Sequence, residues 1–270
     1  MISFKRVFDF YLRSSIHVAL SVYALVRMTH FMFNISEDKP MANFAFLGTI
    51  VGYNFVKYDA LARAKKRAMR KELKLIAVLS FFSLLGVGYY FFQLELISQT
   101  VSVAVLALTL LYTLPFFPNR KNARNWAGVK IYIVALCWVG VTLVLPLLNA
   151  HLSLGNDFFL KCIQRFILVF VLILIFEILD LANDDPHLQT VPQKVGVKQT
   201  KIIGLLLLIP FYFLEFLKNN FIEEQLIVNG ILVLTLSLFL AFANVTRSKY
   251  YTSFWVESIP IFWWLMVVLF

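Results

Sequence analysis

Apolar residues run through this chain in long, nearly unbroken blocks, and short segments between them hold most of the charge. A block of roughly 17–25 apolar residues is long enough to cross the hydrocarbon core of a bilayer as a helix. Nine blocks have about that length: 11–34, 41–57, 73–93, 95–117, 128–149, 158–181, 201–217, 225–244 and 251–269. The pattern predicts an all-α, polytopic membrane protein of nine transmembrane helices. The third and fourth blocks nearly touch, so their turn is tight. Arg13, His17, Arg27 and His30 interrupt the first.

The segments between blocks alternate in charge. The second holds Lys57, Arg63, Lys65, Lys66, Arg67, Arg70 and Lys71; the fourth holds Arg120, Lys121 and Arg124. The sixth holds Lys194 and Lys198, with Lys201 at its end, and the eighth holds Arg247 and Lys249. The odd segments hold little beyond Lys39 and Lys218, which stand near Glu37, Asp38, Glu223 and Glu224. Cytoplasmic loops carry the excess of Lys and Arg. The N-terminus and even loops are therefore expected in the cytoplasm and the C-terminus outside, in an integral membrane protein of the bacterial inner (plasma) membrane type. No A-x-A cleavage site follows the first apolar residues, so the first block is expected to be a retained span.

Composition agrees. The 270 residues are 60% hydrophobic and 15% charged, against about 25% charged in soluble domains. No polar stretch is long enough for a separate soluble domain, so 1–270 is expected to be one integral membrane domain. The net charge of +10 is explained by topology and anionic lipid, and nucleic acid is not an expected partner. Cys137 and Cys162 lie inside apolar blocks and are expected to be core residues. The second and sixth blocks both end in polar clusters. Two pseudo-repeats of about four spans, 1–117 and 128–244, plus a last span at 251–269, would account for this.

The sixth block ends Ile175-Phe176-Glu177-Ile178-Leu179-Asp180-Leu181-Ala182-Asn183-Asp184-Asp185-Pro186. At about 100° per residue, Glu177 and Asp184 fall within about 20° of one face, with Asp180 about 60° away. Three carboxylates at a helix C-terminus repel one another and the negative end of the helix dipole. A hard divalent cation relieves both, and Mg²⁺ prefers carboxylate oxygens together with substrate phosphates. The plainer alternative is that these acids cap the span and pair with nearby lysines.

With Thr190-Val191-Pro192-Gln193-Lys194-Val195-Gly196, this segment resembles the second aspartate-rich motif of the UbiA-type membrane prenyltransferase superfamily (4-hydroxybenzoate polyprenyltransferase-like), D-x-x-D-x-x-x-D followed by T-[LI]-P-x-x-[LIV]-G. Glu177 stands in the first acidic place, and one residue fewer separates the two parts. Leu111-Tyr112-Thr113-Leu114-Pro115, then Arg120-Lys121 and Gly128, is similar to the family's Y-S-x-P…R-x-K…G stretch. The resemblance covers roughly residues 41–200. It implies a UbiA-like helical bundle with its acidic motifs on the cytoplasmic side.

The family's first motif, N-D-x-x-D-x-x-x-D after the second span, is altered here. Asn54 matches its Asn, Phe55 stands where an Asp is expected, and Lys57, Tyr58 and Asp59 follow. In a continuous helix Asn54 and Asp59 lie about 140° apart, whereas Asn54, Lys57 and Tyr58 share a face. Lys57 is then either a cation that meets diphosphate directly, or the mark of a site that no longer transfers prenyl groups. In the second case Asp59 only pairs with Arg63.

The resemblance implies an isoprenoid diphosphate donor, a Mg²⁺ cofactor and an aromatic or lipid acceptor. Asp180 and Asp184 would be catalytic. Together with Glu177, Asn54 and Asp59 they form the expected metal set. Lys57, Arg120, Lys121 and Lys194 are the expected diphosphate-binding cations, and Tyr112 would stabilise the allylic cation by its ring face. The stretch from Arg63 to Lys74 is expected to be a helix on the membrane surface, attracted to anionic lipid or serving as a diphosphate lid. A CDP-alcohol phosphotransferase is excluded, because no D-G-x-x-A-R run separates the acids. A transporter is disfavoured, since the acids stand at a span end rather than its middle. Glu257, alone in the last block, is expected to bond a neighbour such as Tyr112, and His187 to be a solvated loop residue.

Overall fold

The computed structural model describes residues 4–63, 71–113, 128–184, 188–219 and 222–269; the side chains of 59–63 and 111–112 lie outside that description. The described residues are mostly helical and include no strand. In order it forms α1 (Phe4–Arg13), α2 (Ile16–Met32), α3 (Lys39–Arg63), α4 (Lys71–Phe91) and α5 (Leu96–Thr113). Next come α6 (Lys130–Val139), a π-turn (Gly140–Val144), α7 (Leu145–Asn149), α8 (Asn156–Asp180) and α9 (Val191–Phe213), which a 3₁₀ turn extends to Leu217. The chain closes with α10 (Glu223–Phe242), a second π-turn (Tyr251–Val256) and α11 (Ile259–Leu269).

Among the described residues, six helical segments are long and apolar enough to cross a membrane: Lys71–Phe91, Lys130–Asn149, Asn156–Asp180, Val191–Leu217, Glu223–Phe242 and Tyr251–Leu269. Ile16–Met32 and Leu96–Leu110 are apolar but shorter.

Three boundaries differ from the hydropathy pattern, one of them the end of α3, which runs on to Arg63 past the block's end at 57. The first block does not start a single helix at residue 11. The helix breaks at Ser14–Ser15, where Ser15 is left-handed with φ 63°. Ser14 Oγ donates to the Tyr11 carbonyl (3.2 Å), and Ser15 Oγ donates to Asn54 Oδ1 (2.8 Å). Serines offer the backbone alternatives to the helix ladder, so a Ser-Ser pair suits a break. Helical structure at the seventh block starts at Val191 rather than 201, with a break at Gly196 (φ 79°), because Gln193 Oε1 accepts the Thr190 N–H (2.9 Å) and Pro192 occupies the first turn. Both are helix-start signals that hydropathy does not weigh.

The ends of the helices gather on two faces. On one, Asn149 Nδ2 donates to Asp38 (2.6 Å), the Glu95 N–H to Asn149 Oδ1 (2.9 Å), and Asn156 Nδ2 to the Leu217 carbonyl (3.2 Å). On the other, Arg13 pairs with Glu72 (3.0 Å), Lys249 with Asp9 (2.8 Å), and the Gly128 N–H meets the Leu188 carbonyl (3.3 Å). Lys71, Lys74, Lys194, Lys198, Arg247 and Lys249 belong to this second, basic face.

α8 is the central helix: 72% of its most apolar window is buried, against 11% for α4 at the periphery. Its residues Leu168, Val171, Ile175 and Ile178 recur every three or four positions and meet Leu25, Leu232, Leu236 and Trp263. α9 and α10 approach closely at Gly204, where a Cβ would stand 2.5 Å from Leu240 Cδ2.

Pro146 shapes the break between α6 and α7. It has no N–H for the carbonyl four residues back, that of Thr142. Thr29 Oγ1 donates to that carbonyl instead (2.7 Å). The buried Arg165 donates to Thr142 Oγ1 (2.9 Å) and lays its guanidinium 5.5 Å from the Trp263 ring.

Candidate functional site

The end of α8 is built by two helices meeting. Glu177 is buried, with 2% of its surface exposed, and its Oε2 accepts the Val191 N–H at 3.1 Å. Val191 opens the short first segment of α9, which breaks at Gly196 (φ 79°), so Glu177 ties down the start of that segment. One turn on, the Asn183 and Asp184 N–H groups both donate to the Asp180 carbonyl (2.8 and 2.9 Å), which turns the chain and brings Asp184 back toward α8. Asp180 is exposed. Among the described residues, the buried Oδ2 of Asp184 has no hydrogen-bond partner. Glu177 lies within electrostatic reach of Lys130, Asp184 and Asp180. Gly128, with φ 72°, lets the chain pass so close that a Cβ there would be 3.9 Å from Lys194 Nζ. Glu177, Asp180 and Asp184 therefore share one end of the bundle with Lys130 and Lys194.

Among the described residues, no three His, Cys, Asp or Glu side chains come together as a metal cluster. Glu177 is engaged in holding α9.

The polar end of α3 is organised differently. α3 is continuous through Arg63, so Asn54 and Asp59 stay on different faces. The buried Asn54 amide makes three internal contacts. Its Nδ2 donates to the Ser14 carbonyl (3.0 Å) and Ser80 Oγ (2.9 Å), and its Oδ1 accepts from Ser15 Oγ. Asn54 thus ties the α1–α2 break to α4. Lys57 is exposed; its Nζ donates to Ser15 Oγ (3.1 Å) and stands 5.8 Å from the Tyr53 ring centre. Tyr58 donates to the Arg13 carbonyl (2.9 Å).

Arg120 and Lys121 lie outside the described residues, as do Asp185 and His187 and the side chains of Asp59 and Tyr112. Glu257, expected beside Tyr112, lies within electrostatic reach of Lys57.

Sequence reasoning missed Lys130, and it missed a buried ionic group on the opposite face. Glu215 Oε2 accepts from Lys161 Nζ (2.9 Å), Gln164 Nε2 (3.0 Å) and Asn229 Nδ2 (2.9 Å), while its Oε1 meets Lys218 Nζ at 2.6 Å. Lys218 therefore pairs with Glu215 rather than with Glu223 or Glu224. Lys161 and Glu215 do stand out as charges inside apolar blocks, and intramembrane charges are rare. Nothing local shows that they are partners.

Comparison with family models, curated proteins and solved structures finds no match for the chain.

Proposed function

We propose that the chain crosses the membrane nine times with its basic face in the cytoplasm, and that this face carries a diphosphate site for prenyl transfer in a UbiA-like bundle. Support for the span count comes from α2 and α5, which are apolar, from α3, which is 25 residues long, and from the regular alternation of helix ends.

The observation that carries the functional proposal is the buried Asp184 Oδ2, unpartnered among the described residues, beside Asp180 and Glu177. A buried carboxylate oxygen without a partner is costly, and a cation relieves that cost. Mg²⁺ is commonly held by one or two carboxylates, with phosphate oxygens of the substrate completing its shell. That donor set fits: Asp180 and Asp184 would hold the ion, and Glu177 would keep α9 in place beneath them. Bound Mg²⁺ neutralises charge on a diphosphate. Lys130 and Lys194, with Arg120, Lys121 and Lys57, are the cations available to grip the diphosphate and stabilise the negative charge that grows on it. The carbon–oxygen bond breaks with its electron pair going to the diphosphate. An aromatic or lipid acceptor forms the new bond to the isoprenoid and gives up a proton to water.

One observation favours a second proposal, binding without transfer. All three contacts of the Asn54 amide are internal, so it adds no ligand to the site.

Equilibrium binding of farnesyl diphosphate, with and without Mg²⁺, tests the metal site in the wild type, Asp180→Asn and Asp184→Asn. Mg²⁺ is expected to tighten wild-type binding by about tenfold or more, a difference of about 1.4 kcal/mol, and to have little effect in either variant. Equal binding in every condition rejects the site. Diphosphate release on addition of an aromatic acceptor separates transfer from binding alone.

A further inference from the structure

A polar cleft of about 530 Å³ opens on the basic face where α10 ends, between α9 and the turn that leads to the last helix. Lys201, Phe242, Asn244, Thr246 and Arg247 line it. Its construction follows from the helix end. The last carbonyls of any helix lack intrahelical donors and carry partial negative charge. Here Lys201 Nζ donates to the Ala241 carbonyl (2.7 Å) and Arg247 Nε to the Phe242 carbonyl (3.0 Å). The guanidinium also lies 5.4 Å from the Tyr251 ring centre. Both cations are thus held in place by one donor each. An ammonium has three N–H donors and a guanidinium five, so most of their capacity remains.

Among the described residues, no acidic one lines the cleft. Asp9, on the neighbouring α1, is already paired with Lys249 and Tyr250. Among the described residues, two fixed cations therefore stand here without a counter-anion. Beside the cleft the surface turns apolar: Phe242, which lines it, is 59% exposed, and Ile202, Leu205 and Leu206 are exposed on α9 in the turns that follow Lys201. A site for a free phosphate needs no such flank, whereas a phospholipid needs both parts.

We propose that this cleft binds the phosphate headgroup of an anionic phospholipid, with Lys201 and Arg247 on the phosphate and the acyl chains along the exposed flank of α9 and α10. Basic pockets between membrane helices at this level suit such headgroups. The proposal concerns a site separate from the acids of α8 and stands whether or not the chain transfers prenyl groups.

The test is retention of phosphatidylglycerol by the full chain in phosphatidylcholine nanodiscs. Wild type is expected to enrich phosphatidylglycerol around itself. Lys201→Gln with Arg247→Gln is expected to weaken retention about 25-fold, roughly fivefold per charge removed. Lys71→Gln with Lys74→Gln, which removes the same charge from exposed positions of the peripheral α4, is expected to cost less than about fivefold, because salt screens a charge beyond roughly 8–10 Å. Lys201→Arg with Arg247→Lys keeps both charges and is expected to retain the lipid, which guards against misfolding of the glutamine pair. No enrichment by wild type overturns the proposal, and so does equal loss in the two glutamine pairs. Displacement of the lipid by millimolar inorganic phosphate also overturns it, since the cleft would then be an ion site.

Discussion

Glu215 is the residue on which most buried charge converges. It is fully buried between Lys161 and Lys218, with Gln164 and Asn229 completing the shell. Removing one partner of a buried ionic group leaves an uncompensated charge, which costs about 3–5 kcal/mol. Glu215→Ala strands two ammonium groups and is expected to lower the thermal midpoint in detergent sharply. Adding Lys161→Met and Lys218→Met to it should recover much of the loss, because apolar replacement of a whole buried ionic group is often tolerated. A midpoint unchanged in Glu215→Ala would show that the group carries no stability. The contrast with the α8 acids is instructive. Glu177, Asp180 and Asp184 are legible as a set because helix geometry alone puts residues three, four and seven apart on neighbouring faces. Lys161 and Glu215 are 54 positions apart, and only packing reveals them as partners.

At the scale of the element, α1 is the part that the apolar pattern misjudged. Hydropathy merges its end into the first span, but the Ser14–Ser15 break releases it as a separate helix lying against the second π-turn and the residues just before it. Phe8 meets the rings of Tyr250 and Phe254 at 5.8 and 5.2 Å, and Asp9 accepts from Lys249 and Tyr250, both at 2.8 Å. The hydrogen bond from Lys249, then that from Tyr250, holds the Asp9 carboxyl below its ordinary value. A group depressed in the folded state stabilises it above the unfolded value, about 3.9 for Asp, and that contribution fades as pH falls through the lower folded value. α1 is therefore expected to stay docked at neutral pH and to loosen below about pH 4. An environment-sensitive dye on Val7→Cys, with Cys137 and Cys162 replaced, reads this out. The same dye in an Asp9→Asn background should report a looser α1 at neutral pH. Identical pH curves for the two would remove Asp9 from the docking account.

At the scale of the whole molecule, the charge asymmetry between the two faces predicts orientation. Ser153 and Ala182 are exposed at opposite ends of α8. In a chain freed of Cys137 and Cys162, an impermeant thiol reagent should reach Ala182→Cys only from the cytoplasmic side and Ser153→Cys only from the other. Labelling of both from one side would contradict the proposed topology. By itself the sequence determined the helical character, the apolar segments, the gathering of basic residues at alternate helix ends and the acidic cluster closing α8. Each of these is written in residues within about two helical turns of one another, or in local composition, and helix periodicity and hydropathy act at that range. Only the tertiary structure decided that Asn54 braces the Ser15 break, that Glu177 holds the start of α9, that Lys161 answers Glu215, and that Lys201 and Arg247 share one cleft. Those pairings join residues from 14 to 54 positions apart, and Lys249 reaches Asp9 across 240. Such partners are chosen by how helices pack, and no local period encodes that choice.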